Sequence, residues 1–298
     1  MEFLRNRVFP WYAGAALAVA AWAVFSLQDA IVKYLVIALP APEILFVRSG
    51  LIVLVAGFGA RREDWVAATQ CREASVILAR SIFILAAWLC YYTAARTLQL
   101  AELVTLYFAA PLFVVAMSGP LLGEIVGRWR WLATGLGFVG VVVAANPQGD
   151  AETLPVALAL IAGVSWAIST VLARTLTATI STSMMMIGGN AFFFVVCGAM
   201  APALFVWPTV RETGLLLALG AIGSLGQALW IESLRRAQAS LLAPLEYSMF
   251  AYAVFWGWLV FGDLPTDRTL IGAAIILSAG LLTLGVEQRR YRIGRRDA

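Results

Sequence analysis

Ten separate apolar stretches divide this chain of 298 residues, and each has the length that a helix needs to cross a bilayer. Hydrophobic residues make up 62% of the chain and the mean hydropathy is +0.87, values that exclude an ordinary soluble domain. Ten spans of about 20 residues occupy roughly 200 positions, so about a hundred remain for connections and tails. The composition therefore predicts an all-α integral membrane protein that forms one embedded unit.

Prolines and charged residues mark most boundaries between these stretches, because both are least costly at helix ends. The ten predicted helices lie near residues 11–35, 40–60, 75–95, 100–121, 129–146, 153–175, 183–207, 213–234, 240–261 and 268–287.

Basic residues are distributed unevenly among the predicted connections. Fifteen of the 21 Lys and Arg residues fall on the termini and on alternate connections, whereas three fall on the other set. Basic residues resist translocation, so the richer side is expected to be cytoplasmic. An error in one span would invert every later connection and destroy the asymmetry. The pattern thus predicts ten spans in the cell inner membrane, with both termini in the cytoplasm.

The two halves of the chain repeat one another. An offset of 141 residues brings Lys33 onto Arg174, and an offset of 139 brings Gly123-Glu124 onto Gly262-Asp263. Each half has five predicted helices, so the second half must enter the membrane from the opposite face. We therefore expect two inverted five-helix repeats, residues 1–149 and 150–298, that rock about a central site.

Several short motifs spread over nearly the whole chain resemble the EamA type of the drug/metabolite transporter superfamily. In the first half they are Arg48, Arg80-Ser81, Tyr91-Tyr92-Thr93-Ala94-Ala95, Pro111-Leu112-Phe113, Gly123-Glu124 and the glycines from Gly135 to Gly140. In the second half they are Trp166, Arg174, Ala243-Pro244-Leu245-Glu246-Tyr247 and Gly262-Asp263-Leu264-Pro265. One departure is Phe250, which stands where the repeat would place a second Pro111.

The resemblance implies a cavity near the membrane midplane, built mainly from predicted helices one, three, four, six, eight and nine. The Pro-Leu-Glu-Tyr stretch is similar to the branch that contains S-adenosylmethionine and riboflavin importers. The resemblance thus implies a transporter fold with a central cavity and a metabolite as its substrate.

Five charged side chains lie at membrane depth: Asp29, Lys33, Arg48, Arg80 and Glu246. Each such charge costs about 2.5–3.5 kcal/mol on insertion scales, so each needs a partner or a wet cavity. Glu246 and Tyr247 follow Pro244, and a proline-broken turn persists only where it lines protein or water. We expect Glu246 to be the strongest site candidate in the sequence; it can contact substrate, carry a coupled proton or pair with Arg48 or Arg80. Asp29 either lines the cavity or has a purely structural role. Arg48 either clamps helices together or contacts substrate, and Arg80 is expected to be structural.

Aromatic side chains supply further candidates, because stacking and cation–π surfaces suit a planar or cationic solute. Most single aromatic residues in such a chain face lipid or core. Trp88, Tyr91 and Tyr92 nevertheless cluster on one predicted helix. The complete predicted set of substrate-binding residues is Asp29, Arg48, Trp88, Tyr91, Tyr92, Tyr107, Trp166, Trp230, Glu246 and Tyr247.

Missing residue types exclude several enzyme classes. The chain has no histidine, which removes Ser-His catalysis and histidine zinc sites. Lys33 is the sole lysine and lacks the glycine-rich context of a phosphate-binding loop, so ATP hydrolysis is excluded. The three cysteines share no CxxC spacing. We expect no enzymatic activity, no cofactor and no metal.

Two classes of function remain open. The first is a secondary transporter of a small polar or amphipathic metabolite, with a multidrug-type exporter as a variant. The second is a lipid-linked headgroup flippase or a structural membrane subunit. Expected partners are a small-molecule substrate and the lipid bilayer, without nucleic acid, and coupling to a proton stays open. The protein is expected to be a monomer.

The predicted topology places Gly149 on the extracytoplasmic side. A cysteine introduced there should react with an impermeant maleimide added outside intact cells and should be protected from the same reagent inside inverted vesicles. Labelling from the inside alone would contradict the topology.

Overall fold

The computed structural model describes residues 11–64, 73–98, 103, 106–145, 153–261 and 267–294. Within these ranges the secondary structure is helical and contains no strand, as the composition predicts. The start of the predicted fourth helix, Gly149 and the Gly262-Asp263 motif lie outside the described residues.

The described residues form eleven helices of eight or more residues. In chain order they are α1 (Trp11–Ala38), α2 (Ala41–Gly59), α3 (Ala74–Ala94), α4 (Ala110–Leu122), α5 (Arg128–Ala145), α6 (Thr153–Leu176), α7 (Thr182–Leu204), α8 (Val210–Arg236), α9 (Ala239–Glu246), α10 (Ser248–Phe261) and α11 (Asp267–Gly294).

Among the described residues, six helices are both long and apolar enough to cross a membrane: α1, α2, α3, α6, α7 and α8. Two shorter apolar helices, Ala110–Leu122 and Leu270–Thr283, add to them. Numerous large apolar side chains on the outer surface, such as Phe58 and Val210 at 93% exposure, suit contact with lipid. These features describe a multi-pass membrane protein.

The stretch predicted as one helix over 240–261 is two helices, α9 and α10, separated by a turn at Tyr247. Pro244 has no amide proton and cannot donate to a carbonyl one turn earlier, which weakens the helix at this point. The amide of Phe250 then donates to the carbonyl of Tyr247 at 3.0 Å, a tighter turn than the α-helix has. Proline chemistry thus explains why a single helix was the wrong prediction.

Helices from the first half of the chain pack chiefly on helices from the second half. The most extensive pairs are α1 with α8, α3 with α6, α2 with α7 and α5 with α11. The predicted repeat relates α1 to α6, α2 to α7, α3 to α8 and α5 to α11. When each helix is exchanged for its counterpart, the pair α1–α8 becomes α6–α3, and the pairs α2–α7 and α5–α11 stay the same. The pair α4–α6 similarly corresponds to α1–α10. The helix packing therefore has the pattern of a twofold pseudo-symmetry.

Glu124 connects the two halves at one end of the bundle. Gly123 ends α4 in the left-handed region, with φ of 65°, so the chain turns sharply and Glu124 approaches α9. The Glu124 carboxylate accepts hydrogen bonds from the amides of Ala239 and Ser240, both at 3.0 Å, and from the Ser240 hydroxyl at 2.6 Å. Arg174 lies 3.8 Å from the same carboxylate, which is thereby held by charge and by a helix N-terminus.

Glycines allow several of these close helix contacts. A Cβ atom at Gly163 would lie 2.9 Å from the carbonyl oxygen of Tyr107, and one at Gly137 would overlap the ring of Tyr247. Small residues at such crossings let helix backbones approach in a membrane, where packing rather than the hydrophobic effect holds helices together.

We expect Gly137→Ala to lower the melting temperature of the purified protein by several degrees, because the added methyl group overlaps an aromatic ring that is itself buried. Overpacking of this kind costs about 1–3 kcal/mol. Gly135→Ala is the matched control on the same helix, since no neighbouring atom lies within 4 Å of its Cβ position. Equal melting temperatures for the two variants would contradict the described packing of α5 on Tyr247.

Candidate functional site

A cavity lies between the halves, bordered by α1, α3, α6 and α10. It has about 380 Å³ of empty space, counting the part continuous with solvent. Its lining residues are Trp22, Phe25, Asp29, Ala87, Trp88, Tyr91, Tyr107, Trp166 and Met249. We call it the Asp29 cavity, because Asp29 is its charged residue.

A second cavity lies further along α1, α3 and α6, against α8, and we call it the Arg80 cavity. It has about 340 Å³ of empty space, counting the part continuous with solvent. Its lining residues are Phe25, Arg80, Ile84, Trp88, Trp166, Ser169, Thr170, Ala173, Gln227, Trp230 and Ile231. The two cavities share Phe25, Trp88 and Trp166. These three rings therefore form the partition between a space with a carboxylate and a space with a guanidinium.

The partition belongs to a larger aromatic cluster of Trp22, Phe25, Trp88, Trp166 and Trp230. The ring centroids of Trp22 and Trp230 are 4.9 Å apart, and the rings of Trp166 and Trp230 stack at 6.1 Å with an interplanar angle of 26°. Trp88 meets Trp166 edge to face at 6.2 Å. Helices α1, α3, α6 and α8 each contribute to the cluster, which thus offers planar apolar surfaces to both cavities.

Helical spacing explains why these side chains converge. On α1, Trp22, Phe25 and Asp29 follow one another at intervals of three and four residues, so they share one face. On α3, Trp88 and Tyr91 are three residues apart. Because α1 and α3 bring these faces to the same space, an acid and several rings line one cavity.

Asp29 is half-buried in the wall of its cavity. Its carboxylate interacts electrostatically with Arg48 and with the Tyr91 hydroxyl. The carboxylate also lines the cavity. It can therefore accept hydrogen bonds from a solute while two protein groups hold it in position.

Arg48 is fully buried behind the partition, with 0% of its surface exposed. Its Nη2 donates to Oε1 of Gln28 at 3.2 Å, and its guanidinium carbon lies 4.6 Å from the centroid of the Trp88 ring. A Cβ atom at Gly223 would lie 3.0 Å from Nε, so only a glycine leaves room for the guanidinium. Arg48 joins α2 to α1, α3 and α8 and does not line either cavity.

Glu246 and Tyr247 lie at the break between α9 and α10, away from the lining of both cavities. Glu246 is 1% exposed, and its Oε1 has no hydrogen-bond partner among the described residues. Its carboxyl interacts electrostatically with the Trp166 indole and with Tyr107, which both line the Asp29 cavity. Tyr247 packs edge to face on Phe108 at 5.6 Å and against Gly137.

Six of the ten residues predicted from sequence line a cavity: Asp29, Trp88, Tyr91, Tyr107, Trp166 and Trp230. The other four, Arg48, Tyr92, Glu246 and Tyr247, are buried behind or beside the lining.

Sequence reasoning missed Trp22, Phe25 and Met249, and in the second cavity it missed Thr170 and Gln227. The face shared by Trp22, Phe25 and Asp29 was a readable signal, because an acid on an apolar helix face marks the face turned away from lipid. Thr170 and Gln227 carry no comparable signal, since polar uncharged residues occur at many helix contacts.

We expect Arg48→Met to lower the melting temperature in detergent more strongly than it lowers affinity for any bound solute. The change leaves the buried Oε1 of Gln28 without its donor, which costs about 1–3 kcal/mol, and it removes the cation that interacts with Asp29. Arg61→Met, at an exposed arginine beyond α2, should leave stability unchanged. Normal stability of Arg48→Met with an altered range of solutes would show instead that Arg48 contacts substrate.

Comparison with known proteins shows what this architecture is similar to. A solved crystal structure superposes with a TM-score of 0.69 over 93% of this chain and 97% of that chain, at 20% sequence identity. This likeness shows a shared fold.

Relatives of known function are transporters. The pseudopaline exporter CntI of Pseudomonas aeruginosa is 29% identical over 278 residues, which cover 89% of this chain and 94% of that protein. A riboflavin transporter of Rhizobium johnstonii is 28% identical over 64% of each chain. An S-adenosylmethionine uptake transporter of Rickettsia bellii is 27% identical over 61% of this chain and 62% of its own.

The model of the EamA-like transporter family matches residues 10–146 and 153–285, one match in each half. The predicted membership and the predicted transport role are confirmed, and so is the exclusion of an enzyme, since the family and its relatives are transporters. This chain belongs to the EamA-like transporter family and is a multi-pass membrane transporter of small molecules.

Proposed function

We propose that the protein is a secondary transporter that moves a small polar or amphipathic metabolite by alternating access of the Asp29 cavity. The observation that carries this proposal is the position of that cavity between helices of both halves, with one acid and a wall of aromatic rings. A substrate at this position would interact with both halves at once. Movement of one half against the other would then expose it to one side of the membrane at a time.

The twofold pattern of helix pairs supports this mechanism. Because α1–α8 corresponds to α6–α3, rocking of the halves can replace one packing arrangement by the arrangement related to it by the pseudo-twofold axis, at similar free energy. A transporter needs two such states of nearly equal stability, since a large difference would trap it facing one side. We propose accordingly that the halves are inverted repeats and that the full bundle has ten spans.

The Glu124 network is our candidate for a gate at one end of the pathway. It joins the end of α4 in the first half to the start of α9 in the second half. Arg130 donates to the Ser240 hydroxyl at 2.6 Å in the same network. These contacts must separate when the halves part at that end. With the proposed cytoplasmic termini, this gate lies at the cytoplasmic face.

The cavity chemistry indicates a class of substrate. Aromatic walls favour a planar or cationic moiety, and the Asp29 carboxylate favours a hydrogen-bond donor or a positive group. The named substrates of the relatives, pseudopaline, riboflavin and S-adenosylmethionine, motivate a metabolite panel that includes them. The relatives include both an exporter and an uptake transporter, so the direction of transport is not inherited from them. We propose that the protein acts as a monomer in the inner membrane.

The experiment is a thermal-shift screen of the purified protein against this panel, followed by uptake of the stabilising metabolite into proteoliposomes. We expect Asp29→Asn to reduce uptake per folded protein at least tenfold, about 1.4 kcal/mol, because the substrate loses its charged partner.

Glu246→Gln is the paired variant. Its carboxyl lies behind Trp166 rather than in the cavity lining, so it should reduce uptake less than Asp29→Asn does. A larger loss of uptake in Glu246→Gln than in Asp29→Asn would place the substrate contact or a coupled proton at Glu246. No uptake of any panel member by the folded wild type would contradict the proposed function.

A further inference from the structure

Arg80 is a buried cation whose hydrogen-bonding capacity is largely unused. It is 5% exposed and lies near the start of α3. Its Nη1 donates to the carbonyl of Met185 at 3.4 Å, a long bond, and its Nε has no partner. None of the ion pairs between described residues includes Arg80. A single weak bond offsets little of the cost of burying a guanidinium.

Other polar groups of the Arg80 cavity are also incompletely bonded. Thr170 is 3% exposed, and its hydroxyl has no partner among the described residues. Gln227 lines the same cavity and is held by Asn190, whose Nδ2 donates to its Oε1 at 2.8 Å. The cavity thus presents a guanidinium and a free hydroxyl beside the faces of Trp166 and Trp230.

The charged residues that line the two cavities have opposite sign, since Asp29 lines one and Arg80 lines the other. Arg80 precedes Tyr91, the partner of Asp29, by eleven residues, which is about 16 Å along α3. At this separation the two charges do not form a pair, and the aromatic partition stands between them. Each charge is therefore available to a solute that enters its own cavity.

We propose that the Arg80 cavity is a binding site for the carboxylate of an organic acid, with Arg80 and Thr170 as donors and Trp166 and Trp230 as the surface for its apolar part. Among the described residues that line this cavity Arg80 alone is charged, so a singly charged carboxylate suits the cavity better than a doubly charged phosphate. This inference rests on the proposed transport function and extends it, since it makes the substrate a carboxylate-bearing metabolite. It also changes the role expected for Arg80 from structural to ligand-binding.

The test compares three probes of similar size: phenylacetate, its neutral amide phenylacetamide, and phenyl phosphate. Their affinities are measured by thermal-shift titration of the purified full chain in detergent. We expect the wild type to bind phenylacetate at least tenfold more tightly than phenylacetamide and more tightly than phenyl phosphate. Equal binding of the acid and the amide, or a preference for the phosphate, would overturn the inference.

Variants test whether the preference for the acid over the amide depends on Arg80. Arg80→Gln should abolish the advantage of the acid over the amide, whereas Arg61→Gln, at an exposed arginine, should keep it. Arg80→Lys should restore part of it, because the charge returns without the planar donor pair. If Arg80→Gln fails to fold, Thr170→Val decides, since it keeps the shape of the side chain. It should weaken binding of phenylacetate more than binding of the amide, because a hydrogen bond to a carboxylate is stronger than one to a neutral carbonyl. An undiminished preference in Thr170→Val and in the folded Arg80 variants would overturn the inference.

This binding experiment is independent of transport. Uptake of a metabolite without any carboxylate preference in binding would contradict the Arg80 site alone. Carboxylate binding by a protein that transports no member of the panel would contradict the proposed function alone.

Discussion

A polar side chain at membrane depth must find its partners inside the protein, because hydrocarbon offers no hydrogen bonds. This constraint determines how polar side chains are arranged inside the bundle. Arg48 is held between Gln28 and the face of Trp88, and Asn190 bonds to Gln227. Two groups with unused hydrogen-bonding capacity, the Nε of Arg80 and the Thr170 hydroxyl, belong to residues that line a cavity. Polar groups at such positions are available to a solute.

The aromatic cluster links stability to function. Its rings come from four helices of both halves, so it contributes packing energy to the contact between the halves while it separates the two cavities. The cation of Arg48 packs on one of these rings from behind. A solute that stacks on Trp166 would replace ring–ring contacts by ring–solute contacts of similar strength. Such an exchange allows binding without a large cost in stability.

Sequence patterns were sufficient for the features that depend on local spacing. Hydropathy indicated the apolar helices, and the helical spacing of Trp88 and Tyr91 placed both in one cavity wall. Pro244 marked the right place for an irregular turn, but the direction of the chain after the turn depends on a distant contact. Tyr247 packs against Gly137, 110 residues away, and no local pattern contains that information. The charge of Arg80 was visible in the sequence, whereas its single long hydrogen bond and its unpaired Nε became visible only after the helices were assembled.

The most direct test of alternating access is the reactivity of one position in the cavity from both sides of the membrane. Ala87 lines the Asp29 cavity and is small, so a single cysteine can replace it in a chain whose three natural cysteines are changed to serine. An impermeant thiol reagent should modify this cysteine in right-side-out and in inverted vesicles alike, and the transported metabolite should slow both reactions. Reaction from one side only, with or without the metabolite, would contradict alternating access at this cavity.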